Sequence, residues 1–203
     1  MVTNWTVDTL KEFEVEIAEL FNSGKIRAPI HLSDGTETEL IKIFNKVKTN
    51  DWVLCSWRSH YQCLLKGVPP NEVKSEIIAG RSISLGFPKY KIMSSAIVGG
   101  NIPIAVGIAL TEKLKESPNH VWCFIGDMTS ETGVAQTSIR YAEKHNLPLT
   151  FVVEDNGLSV QTDTRKVWST ETLRVEENKF KNVIYFKYKS KYPHAGAGKR
   201  ILF

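Results

Sequence analysis

The stretch that decides the fold is "HVWCFIGDMTSETGVAQTSIRYAEKHNLPLTFVVEDNG", His120 to Gly157. "HVWCFIG" is an apolar run of strand length, the pattern of a strand buried on both faces. "SETGVAQTSIRYAEKHN", 130–146, reads as a helix, and "LPLTFVVEDN", 147–156, as a second buried strand. Strand, helix and strand in this order predict a right-handed βαβ unit with parallel strands. In sheets of such units ligands bind outside the carboxyl ends of the strands. Asp127 stands at the end of the first strand and Asn156 at the end of the second. They are 29 residues apart in sequence (156 − 127), yet a βαβ unit can set them side by side.

A carboxylate and an amide carbonyl are hard oxygen donors, which suit Mg²⁺ or Ca²⁺ and suit zinc poorly. Mg²⁺ keeps positions for water and phosphate oxygens, so the pair predicts a metal-bridged phosphate ligand. The helix that follows Asp127 adds backbone N–H donors for the anion. Each residue alone also fits a structural role, Asp127 as a helix cap and Asn156 in a turn with Gly157.

Outward from this unit the chain is read as one domain, 1–203, with 163–203 a short basic C-terminal segment. Leu10, Phe13, Ile17, Leu20 and Phe21 make one stripe on a helix over 6–22, with Thr6 as its cap and Gly24 past its end. "KIRAPIHLSDG" is a loop, 36–48 a second helix, 51–57 a short strand and 69–80 a helix begun by proline. Residues 81–101 are irregular. The helix from 103 to 115 is apolar nearly all round at its start, which predicts a buried helix. "NVIYFKYKS", 182–190, adds one more strand. The fold expected is α/β, a mainly parallel open sheet with helices on both faces.

Composition excludes several classes. No apolar run approaches the ~20 residues of a membrane span, and the acidic amphipathic N-terminus has no signal-peptide core, which points to the cytoplasm. Cys55, Cys63 and Cys123 show no CxxC spacing and read as reduced, buried thiols. Net charge is +4, but Arg165 to Phe203 holds ten Lys/Arg against three Glu. This is read as a solvated face or one that meets an acidic partner, in preference to a nucleic-acid surface. "AGAGKR" is not a P-loop: Pro193 stands where the first Gly should, and Arg200 replaces Ser/Thr.

"GDMTSETG…EDNGLS" resembles the thiamine-diphosphate motif, which opens on Gly-Asp and closes on Asn about thirty residues later. From residue 10 to 162 the chain resembles the alpha subunit of thiamine-dependent 2-oxo acid dehydrogenases, a family with pyruvate, branched-chain and acetoin members. "GKIRAPIHLSDGTETE", "WRSHYQCLLKGVPPNEV" and "IVGGNIPIAVGIAL" match further segments of that family in family order. The resemblance implies a thiamine-diphosphate-binding fold. It implies that Asp127, Asn156 and the backbone carbonyl of Leu158 hold Mg²⁺. Arg58 would bind the diphosphate, with His60 and Gly126 beside it. Ala96 and Val98 would meet the aminopyrimidine, and Val160 would be an apolar wedge under the cofactor. His31 would face substrate, and His194, in a tail much shorter than the family's, would stand in for a phosphate-contacting histidine. Two positions depart from the pattern: Met128 replaces a Gly, and Trp57 replaces a Tyr.

The activity implied is decarboxylation of a small 2-oxo acid and transfer of the acyl or enamine unit, with thiamine diphosphate and Mg as cofactors. The activating Glu would come from a beta-type subunit, in a heterotetramer, and a lipoyl acyltransferase would be a further partner. The apolar face of "PIAVGIAL" and the 81–101 stretch would lie near that interface. Two other readings stay open. One is a transketolase-like or carboligase half-enzyme that passes the unit to an aldehyde. The other is a non-catalytic scaffold that keeps the fold, for which Met128 and Trp57 are the evidence.

Overall fold

The computed structural model describes residues 5–177 and 180–198. Lys199 and Arg200 of the "AGAGKR" stretch lie outside them. The stripe of Leu10, Phe13, Ile17 and Phe21 is buried along α1 (Val7–Asn22). Thr6 caps it: its hydroxyl accepts the Thr9 N–H at 3.2 Å, and the Thr9 hydroxyl accepts the Thr6 N–H at 2.9 Å. The chain continues through α2 (Glu37–Phe44), β1 (Trp52–Cys55), α3 (His60–Leu65) and α4 (Pro70–Ile78). The 81–101 stretch is not wholly irregular, for it holds β2 (Gly86–Phe87) and β3 (Ile92–Ser94). Then come α5 (Asn101–Leu114), β4 (Val121–Gly126), the single turn α6 (Asp127–Ser130), α7 (Gly133–Lys144) and β5 (Leu149–Asp155). A small hairpin, β6 (Leu158–Ser159) and β7 (Thr162–Asp163), leads to α8 (Thr164–Trp168), α9 (Arg174–Glu177) and β8 (Val183–Lys187).

The main sheet has six strands in the order β2-β3-β1-β4-β5-β8. All neighbours are parallel except β2, an antiparallel edge. Successive side chains of a strand point to opposite faces, and both faces are apolar here. Val53, Cys55, Trp122, Phe124 and Val152 pack into one core with α1 to α4. Leu54, Val121, Cys123, Ile125, Phe151 and Val153 pack into a second core with α5 and α7. The expected open α/β sheet with helices on both faces is the observed one. The basic segment supplies its sixth strand, β8.

The expectation of a buried helix at 103–115 needs correction. In α5 only Asn101, Ile102, Ala105 and Ala109 are buried, whereas Ile104 is 44% and Leu114 77% exposed. A single layer of helix covers this face of the sheet, so Ile104 and Leu114, on the side of α5 turned away from the strands, stay exposed among the described residues. The helix expected at 130–146 is divided. Thr132 breaks from α6 in extended backbone and caps α7, its hydroxyl accepting the Ala135 N–H at 3.4 Å.

Candidate functional site

At the carboxyl ends of β1, β4, β5 and β8 lies a cavity of about 530 Å³. Four parallel strands deliver residues to it by the same rule: Ser56, Trp57 and Arg58 follow β1, Asp127 follows β4, Asn156 follows β5, and Tyr188 and Lys189 follow β8. Gly126 pairs with Glu154 across β4 and β5, so Asp127 and Asn156 leave adjacent strands close to the same level.

Of the residues singled out in the sequence, Arg58, Gly126, Asp127, Asn156, Leu158, Val160 and His194 all line this cavity. Asp127 is 1% exposed, and its Oδ2 is buried with no hydrogen-bond partner among the described residues. Burial pushes its carboxyl up to about 6, against the pull of the nearby Thr164 hydroxyl, which lies too far or too poorly aligned to satisfy Oδ2. An orphaned carboxylate oxygen at a cavity wall is what a bound cation would satisfy. Asn156 Oδ1 accepts the Leu158 N–H at 3.0 Å and keeps a second lone pair free for another donor or an ion. Among the described residues no three His, Cys, Asp or Glu side chains group to hold a metal. A cation here would therefore have one carboxylate and neutral oxygens, a donor set that leaves room for ligand oxygens and fits Mg²⁺ better than zinc. Asp155, the next carboxylate along the chain, is not available to it. Arg165 clamps Asp155 through both oxygens, at 3.1 and 2.6 Å.

Arg58 is half-buried, and its Nη1–H donates to the Leu32 carbonyl, which ties the guanidinium to the loop that carries His31. His31 is buried behind the cavity wall. Its Nε2 lies 3.2 Å from His194 Nε2, and Trp57 flanks both rings. Burial, then the neighbouring His194 and Arg58, lower the His31 imidazole to about 3, and burial, then Arg58, lower that of His194, so neutral rings in complementary tautomers can share one hydrogen bond. The tail that carries His194 is fastened to this loop: Gly196 N–H donates to the Ile30 carbonyl at 2.9 Å and Lys191 N–H to Asp34 Oδ2 at 3.0 Å.

Three sequence candidates lie elsewhere. His60 opens α3 and is wholly buried, its Nδ1 3.0 Å from Glu14 and its Nε2 2.9 Å from the Ser82 hydroxyl. Val98 lines a smaller cleft beside the cavity, which shares Ser56, Trp57 and Thr129 with it, and Ala96 lines neither. Met128 does not fill the cavity alone: its sulfur accepts the indole N–H of Trp168 at 3.1 Å, so the side chain bridges to α8 at the rim.

Glu154 and Lys189 are among the cavity residues not singled out in the sequence. Glu154 is nine-tenths buried and bonded by Gln62 at 3.2 Å, and burial pushes it up to about 8. Lys189 follows β8. The signal for Glu154 was its position, a carboxyl in the apolar run "FVVED", whereas Lys189 lay inside the strand expected at 182–190, which ends at Lys187.

The family described as "Dehydrogenase E1 component" matches residues 6–177. The alpha subunit of acetoin:2,6-dichlorophenolindophenol oxidoreductase from Bacillus subtilis is 29% identical over 163 residues, 75% of this chain and 49% of the relative. The pyruvate dehydrogenase E1 component subunit alpha of Rickettsia prowazekii is 28% identical over 167 residues, 77% of this chain and 51% of the relative. Among solved structures, a protein from Mycobacterium smegmatis described as thiamin diphosphate-dependent has a TM-score of 0.40 and 24% identity, over 57% of this chain and 19% of its own. The chain spans about half the length of the curated relatives it matches. The matched region runs from the cap of α1 to the end of α9 and includes Arg58, Asp127 and Asn156. On that match the chain belongs to the dehydrogenase E1 component family.

Proposed function

We propose that the chain is the alpha-type half of a two-chain enzyme, dependent on thiamine diphosphate and Mg²⁺, that decarboxylates a 2-oxo acid in the cytoplasm. The observation that carries this reading is the unpartnered, buried Oδ2 of Asp127 on the cavity that Asn156 and Arg58 also line. Asp127, the Asn156 amide oxygen and the Leu158 carbonyl would hold the metal. Arg58 would hold a phosphate, its position fixed by the bond to Leu32. Thiamine diphosphate, bound there, supplies an electron sink for the carbon that loses CO₂. His31 and His194 are neutral and share one hydrogen bond, so they present a donor or an acceptor, but no fixed charge, at the end of the cavity. A beta-type subunit would cover the exposed side of α5, supply the activating Glu and complete a heterotetramer. A lipoyl acyltransferase would take the product.

The test is co-purification with a beta-type partner and a melting curve with thiamine diphosphate and Mg²⁺. A ligand-dependent rise in the wild type that is absent in Asp127→Ala supports the reading. No rise in the wild type overturns it.

Val160 lies on the two-residue loop of the β6–β7 hairpin at φ 58°, where a β-branched residue is strained. The strain is retained at an exposed apolar residue on the cavity wall, as expected if the side chain meets a ligand. Val160→Gly should therefore stabilise the free protein by about 1 kcal/mol in denaturant titrations. It should also weaken thiamine diphosphate binding by calorimetry. A variant that gains stability and binds as well as the wild type would leave Val160 no role under the cofactor.

A further inference from the structure

We propose that Lys189 holds the terminal phosphate of the diphosphate ligand, an inference that rests on the function proposed above. Three lysines stand two residues apart where β8 runs out. The outer two are neutralised: Lys187 Nζ is 2.9 Å from Glu176, and Lys191 Nζ is 3.7 Å from Asp34. The middle one, Lys189, has no carboxylate partner among the described residues and lines the cavity. Asp155, at the neighbouring strand end, is held by Arg165 and does not offset its charge.

The Lys189 backbone is fixed where the side chain leaves it. Tyr188 N–H donates to the Asp155 carbonyl at 2.9 Å, Lys191 N–H donates to Asp34, and the Lys189 carbonyl packs against the bare Cα side of Gly35. The flexible stem typical of lysine, on a fixed backbone, brings a point charge to the cavity lining, while the Arg58 guanidinium on the same cavity is already tied to Leu32. A diphosphate held with one divalent ion would keep net negative charge. Lys189 is the cation placed to meet it. The substrate carboxylate is the other anion of suitable chemistry, and the experiment separates the two.

Calorimetry on the chain co-purified with its beta-type partner, in Mg²⁺, would compare thiamine diphosphate, thiamine monophosphate and inorganic pyrophosphate, with the melting temperature as a control for folding. A charge-assisted bond is worth about 1.5–3 kcal/mol, so Lys189→Gln should bind thiamine diphosphate and pyrophosphate roughly 10- to 100-fold more weakly. Its affinity for the monophosphate should be unchanged, and Lys189→Arg should recover most of the loss. Equal affinity of wild type and Lys189→Gln for the diphosphate overturns the inference and leaves the proposed function standing. So does a variant whose only change is a raised KM for the 2-oxo acid, which would make Lys189 the carboxylate contact. A wild type that binds none of the three ligands overturns the proposed function as well.

Discussion

Asp127→Asn is expected to make the ligand-free chain more stable while abolishing its response to Mg²⁺ and thiamine diphosphate. The wild-type carboxyl is 1% exposed, one oxygen has no partner, and burial raises it from 3.8 to about 6. A carboxyl raised on folding opposes the folded state once ionised. The native chain holds its proton more tightly, so stability is fully present below about pH 4 and falls as pH rises through 6. Above that range the penalty is on the order of 2–3 kcal/mol. Asparagine has the same shape and no charge, so denaturant titrations at pH 7.5 should show a gain of about 1–3 kcal/mol. The gain should vanish near pH 4, where the wild-type carboxyl is itself neutral. A bound divalent ion reverses the sign for the wild type, because it turns the uncompensated charge into a ligand and stabilises by mass action. The variant lacks that charge and should melt at one temperature with or without the ligands. A variant that loses stability at pH 7.5, or that still answers to Mg²⁺, would mean that Asp127 is a structural cap and not a metal ligand.

The sequence is most legible where burial is symmetrical. β4 and β5 are apolar on both faces because helices cover both faces of the sheet, so continuous runs identify them without any period. The same symmetry hid α3. All six residues His60 to Leu65 are buried, so the helix shows no polar face and no 3.6-residue stripe. β2 and β3 are two and three residues long, and their neighbours Ser, Gly and Pro mask them. α5 misled in the other direction, since composition records that a helix is apolar and not whether a neighbour exists to cover it. At the site, the strand-end rule and the family resemblance place Arg58, Asp127, Asn156, Leu158 and His194 on one cavity wall. His60 lies off the cavity for a local reason. It lies two residues past Arg58, but α3 begins there and turns its ring inward to Glu14 and Ser82. Lys189 could not be read from sequence, because its distinction from Lys187 and Lys191 depends on Glu176 and Asp34, which only the fold brings near.

Gly35→Ala should cost much more than Gly24→Ala, although both glycines have positive φ. Gly24 ends α1 at φ +75° with nothing within 4 Å of a Cβ, so alanine there should cost about 1 kcal/mol, the price of the left-handed backbone. Gly35 has φ +84°, and a Cβ there would overlap the carbonyl oxygen of Lys189. That atom is backbone and cannot turn aside as a side chain would. Overpacking against a fixed group adds about 1–3 kcal/mol, so the total loss should be about 2–4 kcal/mol. The strain falls on the joint between the His31 loop and the tail, which is closed by the Asp34–Lys191 bond, the Ile30–Gly196 bond and the two histidines. The chain can relieve it by parting there, which moves Lys189 and His194 together away from the cavity. Gly35→Ala should therefore also weaken pyrophosphate binding, whereas Gly24→Ala, at the far end of α1 from its cap and outside the cavity wall, should not. Denaturant titrations of the two variants side by side, with calorimetry against pyrophosphate and Mg²⁺, check both parts. Equal losses of stability would mean that the tail yields freely at Lys189, and a tail so easily displaced could not hold a phosphate in place.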